Sequence, residues 1–88
     1  MTIEVRKPTA EENTIAESWS TWAKEVSEFD WNYGEKETCL ILKGKAEVMS
    51  KDGETISFGA GDFVVFPVGL ECTWKIIESI EKKYKFGD

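Results

Sequence analysis

Residues 51–69 read KDGETISFGAGDFVVFPVG, and this stretch decides the fold. Asp52-Gly53 carries the signature of a tight hairpin turn, Gly59-Ala60-Gly61-Asp62 forms a second turn, and Pro67-Val68-Gly69 makes a corner. Between these breaks lie two runs of strand formers, residues 55–58 and 63–66. Strands joined by turns this short pair antiparallel, because parallel neighbours need a crossover of about a dozen residues.

The same rhythm extends outward in both directions. Upstream, residues 38–42 and 46–49 are strand-forming runs punctuated by Gly44, and Phe29, Trp31 and Tyr33 alternate before a turn at residues 34–36. Downstream, residues 72–77 and 82–86 are predicted as two further strands. Near the start, residues 2–6 alternate as a short strand that Pro8 ends. Thr9 and Glu12 then match the capping-box pattern, predicting a helix of two turns over residues 10–17. Residues 15–26 fit two periods at once: Ile15, Trp19, Trp22 and Val26 keep helical spacing, whereas Trp22, Lys24 and Val26 alternate as in a strand. Short strands separated by Gly, Pro and Asp at regular intervals define an all-β sandwich or barrel with one short helical segment near the N-terminus.

The chain has 88 residues, no repeat and no linker, so residues 1–88 form one domain. Surface scaling for this size lets about 64% of the surface be buried, a workable core with little to spare. A net charge of -6 repels phosphate backbones and anionic lipid, which argues against nucleic acid and membrane partners. Apolar runs of a few residues fall far short of the ~18 needed to span a bilayer, and no secretory signal pattern opens the chain. Two cysteines, Cys39 and Cys72, are too few for a disulfide framework, so a reduced, cytoplasmic setting is expected. There is no histidine. Ser-His-Asp and Cys-His mechanisms, His₃ zinc centres and two-His-one-carboxylate iron centres are thereby excluded.

Two segments together resemble the paired motifs of the cupin superfamily. Glu37, the six residues 38–43 and Gly44 match the tail of the first motif, and Gly61, Pro67 and Gly69 fall on the spacing of the second. Trp22, Glu25-Val26-Ser27, Phe29-Asp30-Trp31, Tyr33, Glu37 and Cys39 further resemble the small single-domain cupins grouped with ureidoglycine aminohydrolase. The resemblance implies a double-stranded β-helix, or jelly-roll barrel, and a strand around Trp22 to Val26. It also exposes departures. The first motif's two histidines would fall on Trp31 and Tyr33, or on Asp30 and Asn32, and Cys72 stands where the second motif has its histidine. Of the usual metal ligands only Glu37 remains, with Cys72 as a weak substitute; a divalent metal is disfavoured and no cofactor is predicted.

Residues two apart on a strand share a face, so Glu37, Cys39 and Ile41 project together, as do Cys72, Trp74 and Ile76. Under the cupin alignment that face is the barrel interior, and Trp31, Tyr33, Glu37, Cys39, Cys72 and Trp74 would line one ligand-binding cavity. Aromatics of this kind equally build a solid core. Glu37 is either an exposed carboxylate beside a turn or, if inside, a group whose desolvation favours the neutral form and makes it a proton carrier or ligand anchor. No partner cation can be assigned to it. Both cysteines read as inert buried thiols, because no histidine stands by to ionise them. The acidic clusters at residues 11–12 and 78–81 read as solvated faces, and Lys82, Lys83 and Lys85 as a basic guard on an edge strand.

Three functions compete. The first is binding of a small polar or planar metabolite in the lumen without a histidine-ligated metal. By the resemblance, the second is an enzyme acting on a small nitrogenous metabolite, with Glu37 as catalytic acid or base. The third is a structural or interaction module with a packed core. A homodimer that hides an edge strand is also expected.

Overall fold

The computed structural model describes residues 2–87. In chain order the elements are β1 (Glu4–Arg6), α1 (Ala10–Ala16), β2 (Ser20–Lys24), β3 (Ser27–Asn32), β4 (Glu37–Ser50), β5 (Thr55–Gly59), β6 (Phe63–Phe66) and β7 (Glu71–Phe86). The helix starts where the capping box places it. Glu12 N donates to Thr9 Oγ1 at 3.1 Å and Thr9 N to Glu12 Oε1 at 2.9 Å, satisfying two backbone donors reciprocally. Of the doubly periodic segment, residues 20–24 form strand β2, in line with the cupin resemblance. Its fate is settled by pairing with β7, a long-range interaction that local periodicity does not encode.

All pairings are antiparallel, in the order β1-β6-β4-β7-β2, with β3 added on β7 and β5 on β4. Two strands make this geometry. Residues 37–40 of β4 pair with β6 while residues 45–49 pair with β5. Likewise residues 71–76 of β7 pair with β3 while residues 80–84 pair with β2. The two long strands therefore belong to two sheets at once, and the sheets face each other. Phe58 of β5 and Phe66 of β6 each come within 5.4 Å of Trp74, ring centre to ring centre, closing a core between them. This is the jelly-roll arrangement.

Gly44 and the segment at residues 78–81, expected to interrupt strands, instead bend them. The register between β4 and β7 shifts between Ile41 and Ala46. Gly44 has φ +93°, and a Cβ placed there would stand 2.2 Å from the Ser79 carbonyl oxygen. Only glycine permits this close backbone passage, so the long strands turn the corner together. The hairpin at residues 51–54 forms as predicted, with Gly53 at φ +97° and Ser50 N donating to Glu54 O at 2.7 Å. Among the described residues no helix is long and apolar enough to cross a membrane.

Candidate functional site

Glu37 opens β4 opposite Phe86 of β7, while Lys82 lies on β7 between Ile41 and Trp22. Alternation sends both inward: Glu37, Cys39 and Ile41 share one face, and Ile80, Lys82 and Tyr84 share the face that meets it. The two charged groups are almost wholly buried, Glu37 at 3% exposure and Lys82 at 5%. They meet as an ion pair, Lys82 Nζ to Glu37 Oε2 at 2.8 Å. The ammonium also sits 4.8 Å from the ring centre of Trp22 and 4.5 Å from that of Trp74, within range of cation–π attraction on both. Lys82 is thus the partner cation that the sequence does not name.

A second set of contacts holds the pair in place. Trp74 Nε1 donates to the Tyr33 hydroxyl at 3.2 Å, and the Tyr33 ring stacks on Phe66 at 4.9 Å. Burial, then the adjacent Glu37 charge and contact with its carboxylate, pushes ionisation of the Tyr33 hydroxyl far above the ordinary range. It therefore stays a phenol at any physiological pH. Above the pair opens a cavity of about 180 Å³. Tyr33, Trp74, Trp22 and Phe29 wall it together with Glu37 and Lys82, and Tyr84, Trp31 and Phe86 complete the lining. Trp31 is 46% exposed and Phe86 is comparably open, which puts them at the rim.

Of the six residues predicted to share a cavity, Trp31, Tyr33, Glu37 and Trp74 do so, whereas Cys39 and Cys72 do not line it. The Cys39 thiol is fully buried and donates to Val64 O at 3.6 Å; burial pushes its pKa up to about 12. The Cys72 thiol donates to Trp31 O at 3.5 Å, and burial, followed by the Glu37 and Asp30 charges, raises it to about 11. Both are free thiols turned to backbone carbonyls. The reading of Lys82, Lys83 and Lys85 as a guard on an edge strand is corrected: β7 lies between β4 and β2, Lys83 and Lys85 are half-buried near Trp19, and Lys82 is interior. Trp22, Phe29, Tyr84 and Phe86 also join the site without having been singled out. A signal for Lys82 existed in the alternation Ile80, Lys82, Tyr84, Phe86, where a lysine occupies one position of an otherwise apolar stripe.

The residues present do not fit the metal centre that the cupin motifs imply. Neither Trp31 and Tyr33 nor Asp30 and Asn32 supplies the motif's two imidazoles, the Cys72 thiol is held neutral, and the Glu37 carboxylate already carries a fixed cation. Among the described residues no three His, Cys, Asp or Glu side chains converge in a way that could hold a metal ion.

Two facing sheets that share a pair of long bent strands, with a polar pair sunk in an aromatic hollow between them, define a small cupin-type barrel. The chain belongs to the EutQ-like cupin domain family, whose pattern matches residues 11–84. It is similar along nearly its whole length to a DUF861 family protein from Thermotoga maritima, with 46% identity, a TM-score of 0.92, and coverage of 97% of this chain and 99% of that one. The Clostridium difficile EutQ protein shares the fold at 18% identity and a TM-score of 0.71, over 97% of this chain and 67% of its own. A cupin superfamily protein from Desulfitobacterium hafniense does so at 13% identity and a TM-score of 0.64, over 99% and 79%. No curated protein matches the sequence.

Proposed function

We propose that the hollow binds a small, planar, uncharged metabolite that carries a hydrogen-bond donor and acceptor side by side, with no metal required. The observation that carries this reading is the Glu37–Lys82 pair at the base of an aromatic cavity. The pair offers one acceptor and one donor with no net charge. An anion would meet Glu37 and a cation would meet Lys82, each at close range in a poorly hydrated site where like charges repel strongly. A carboxamide or urea-like edge satisfies both groups, and its flat body lies against the rings of Trp22 and Trp74, which meet at 67°. Size sets a further bound. An apolar cavity of roughly 150 Å³ takes benzene, so about 180 Å³ suits a ligand little larger than one ring. The hollow itself also argues against a purely structural module with a solid core.

The narrower kinship with ureidoglycine aminohydrolase-like cupins agrees in substrate chemistry, since it implies a small nitrogenous compound. On that reading Glu37 would move a proton to or from the bound amide nitrogen. Binding comes first in either case. Benzamide, benzoate and benzylamine, titrated in turn while the four tryptophan indole N–H signals are followed by NMR, test it. Saturable shifts of the Trp22 and Trp74 signals with benzamide alone are expected. Equal response to all three probes, or none to any, overturns the proposal.

A further inference from the structure

A buried lysine beside a carboxylate is by itself weak evidence of stability, because a well-packed apolar pair often does as well or better. Three features of Lys82 call for another explanation. It is the buried lysine among ten, and it lines the cavity without belonging to the apolar core cluster. Among the described residues one oxygen, Glu37 Oε2, accepts from it, while its other close neighbours are the faces of Trp22 and Trp74. Finally, the group positioned to take its proton is that same carboxylate, at 2.8 Å.

We propose that Lys82 is an amine nucleophile that forms an imine with a small aldehyde or ketone held in the aromatic hollow. The inference rests on the reading that the hollow admits a flat, uncharged ligand. Glu37 takes a proton from the ammonium, leaving a neutral amine and a carboxylic acid. The nitrogen lone pair attacks the carbonyl carbon, the C=O π electrons move to oxygen, and a proton passes from nitrogen to that oxygen to give a carbinolamine. The Glu37 acid then protonates the hydroxyl, the C–O bond breaks, and water leaves. What remains is a protonated imine beside a carboxylate. Each ammonium and each carbonyl compound consumed gives one iminium and one water, with no oxidant or reductant.

The electrostatics favour this outcome. The start and the end carry the same charges: an ammonium is replaced by an iminium at the same nitrogen, still paired with the Glu37 carboxylate and still beside two indole faces, and in between both partners are neutral. The site therefore need not expose an unpaired buried carboxylate at any stable stage, which would otherwise be strongly destabilising. The rings that hold the amine also hold the body of a planar carbonyl compound, so the reacting atoms are brought together by binding. A long aliphatic aldehyde gains less from these faces than an aromatic one, and a keto acid meets the Glu37 charge.

Benzaldehyde with sodium cyanoborohydride, applied to the full chain and followed by peptide mass spectrometry, tests the proposal. The other nine lysines serve as internal controls. Benzyl adducts should form first at Lys82, and an excess of benzamide should suppress them there while leaving Lys83 and Lys85 unaffected. Glu37→Gln should slow labelling at Lys82 by about a hundredfold, the usual scale for removing a positioned acid–base group. The benzamide arm needs no variant, so the test stands even if Glu37→Gln does not fold. Adducts spread over the exposed lysines with Lys82 labelled last, while benzamide still shifts the indole signals, overturn imine formation and leave the binding reading intact. If benzamide shifts no signal and Lys82 stays unlabelled, both fail together.

Discussion

The two halves of the β4–β7 ladder, either side of the bend at Gly44, use one pattern for opposite ends. Beyond the bend, Ala46, Val48 and Ser50 of β4 meet Ile76, Trp74 and Cys72 of β7, all buried. Before it, the same alternation of β4 and β7 points Glu37, Cys39 and Ile41 at Phe86, Tyr84 and Lys82. One half closes a core. The other leaves a hollow and places an ion pair in it. The difference teaches that the barrel tolerates an internal charge because the second half, with its stacked and edge-on aromatics around Trp74, supplies the packing that the first half gives up.

The sharpest way to break this division is to remove the bend that creates it. Gly44→Ala puts a methyl against the Ser79 carbonyl and asks an L-residue to hold φ +93°, so the two long strands must separate. A loss above about 4 kcal/mol is expected, which is exceptional for one methyl and a large part of the stability of a domain this size. Urea unfolding reads it; a loss below about 1 kcal/mol would mean that the strands can bend elsewhere. Next comes the charge. Lys82→Met keeps the length and much of the volume but leaves Glu37 buried without its cation, and should cost about 3–5 kcal/mol. Adding Glu37→Leu should restore most of it. If the double variant is no more stable than the single one, the pair is not the isolated unit described above.

Much of this fold was open to a reader of the sequence, because turns are local. Asp52-Gly53, Gly59 to Asp62 and the Thr9 and Glu12 box act within a few residues of themselves, and the structure has them where the residues put them. The four aromatic and acidic members of the site were legible from strand parity together with the motif spacing. For Lys82 the one signal was the stripe Ile80, Lys82, Tyr84 and Phe86, and it was cut short because β7 runs unbroken through Glu78-Ser79-Ile80-Glu81, a polar stretch that reads as a gap. What carries the strand across is β4 alongside it, where Lys45 pairs with Glu78 and Lys43 with Glu81. The cysteines erred for a related reason. Parity put them on the inward face, but which inward positions border a void is set by ring packing across two sheets.

A smaller effect probes the hydroxyl that links the two halves. Tyr33→Phe keeps the stack on Phe66 and removes the acceptor for Trp74 Nε1, leaving a buried indole N–H without a partner. A loss of about 1–3 kcal/mol is expected, with the Trp74 indole signal moving most. If stability is unchanged while that signal moves, the indole N–H has found water from the hollow, and the cavity is wet at Trp74 Nε1.

The smallest effect comes from the thiols, one in each half, and its sign follows from the direction of their shifts. Both pKa values lie above the usual 9.0, at about 12 for Cys39 and about 11 for Cys72, chiefly because burial disfavours a thiolate. Below pH 9.0 folded and unfolded chains both carry thiols, so neither residue makes stability depend on pH. Above it the unfolded chain ionises first. Stability supplied by the neutral buried thiol is then lost progressively as pH rises, levelling near 11 for Cys72 and near 12 for Cys39. The variant Cys39→Ala should start less stable, because it leaves a small void, yet lose less on going from below pH 9.0 to about pH 11 than the parent does. Urea midpoints across that window compare the two slopes directly, with lysine and tyrosine titration common to both. Equal slopes would mean that the Cys39 thiol ionises as readily in the barrel as in the unfolded chain. That would require water to reach the face of β4 between Glu37 and Ile41, making the half with the ion pair far wetter than its packing indicates.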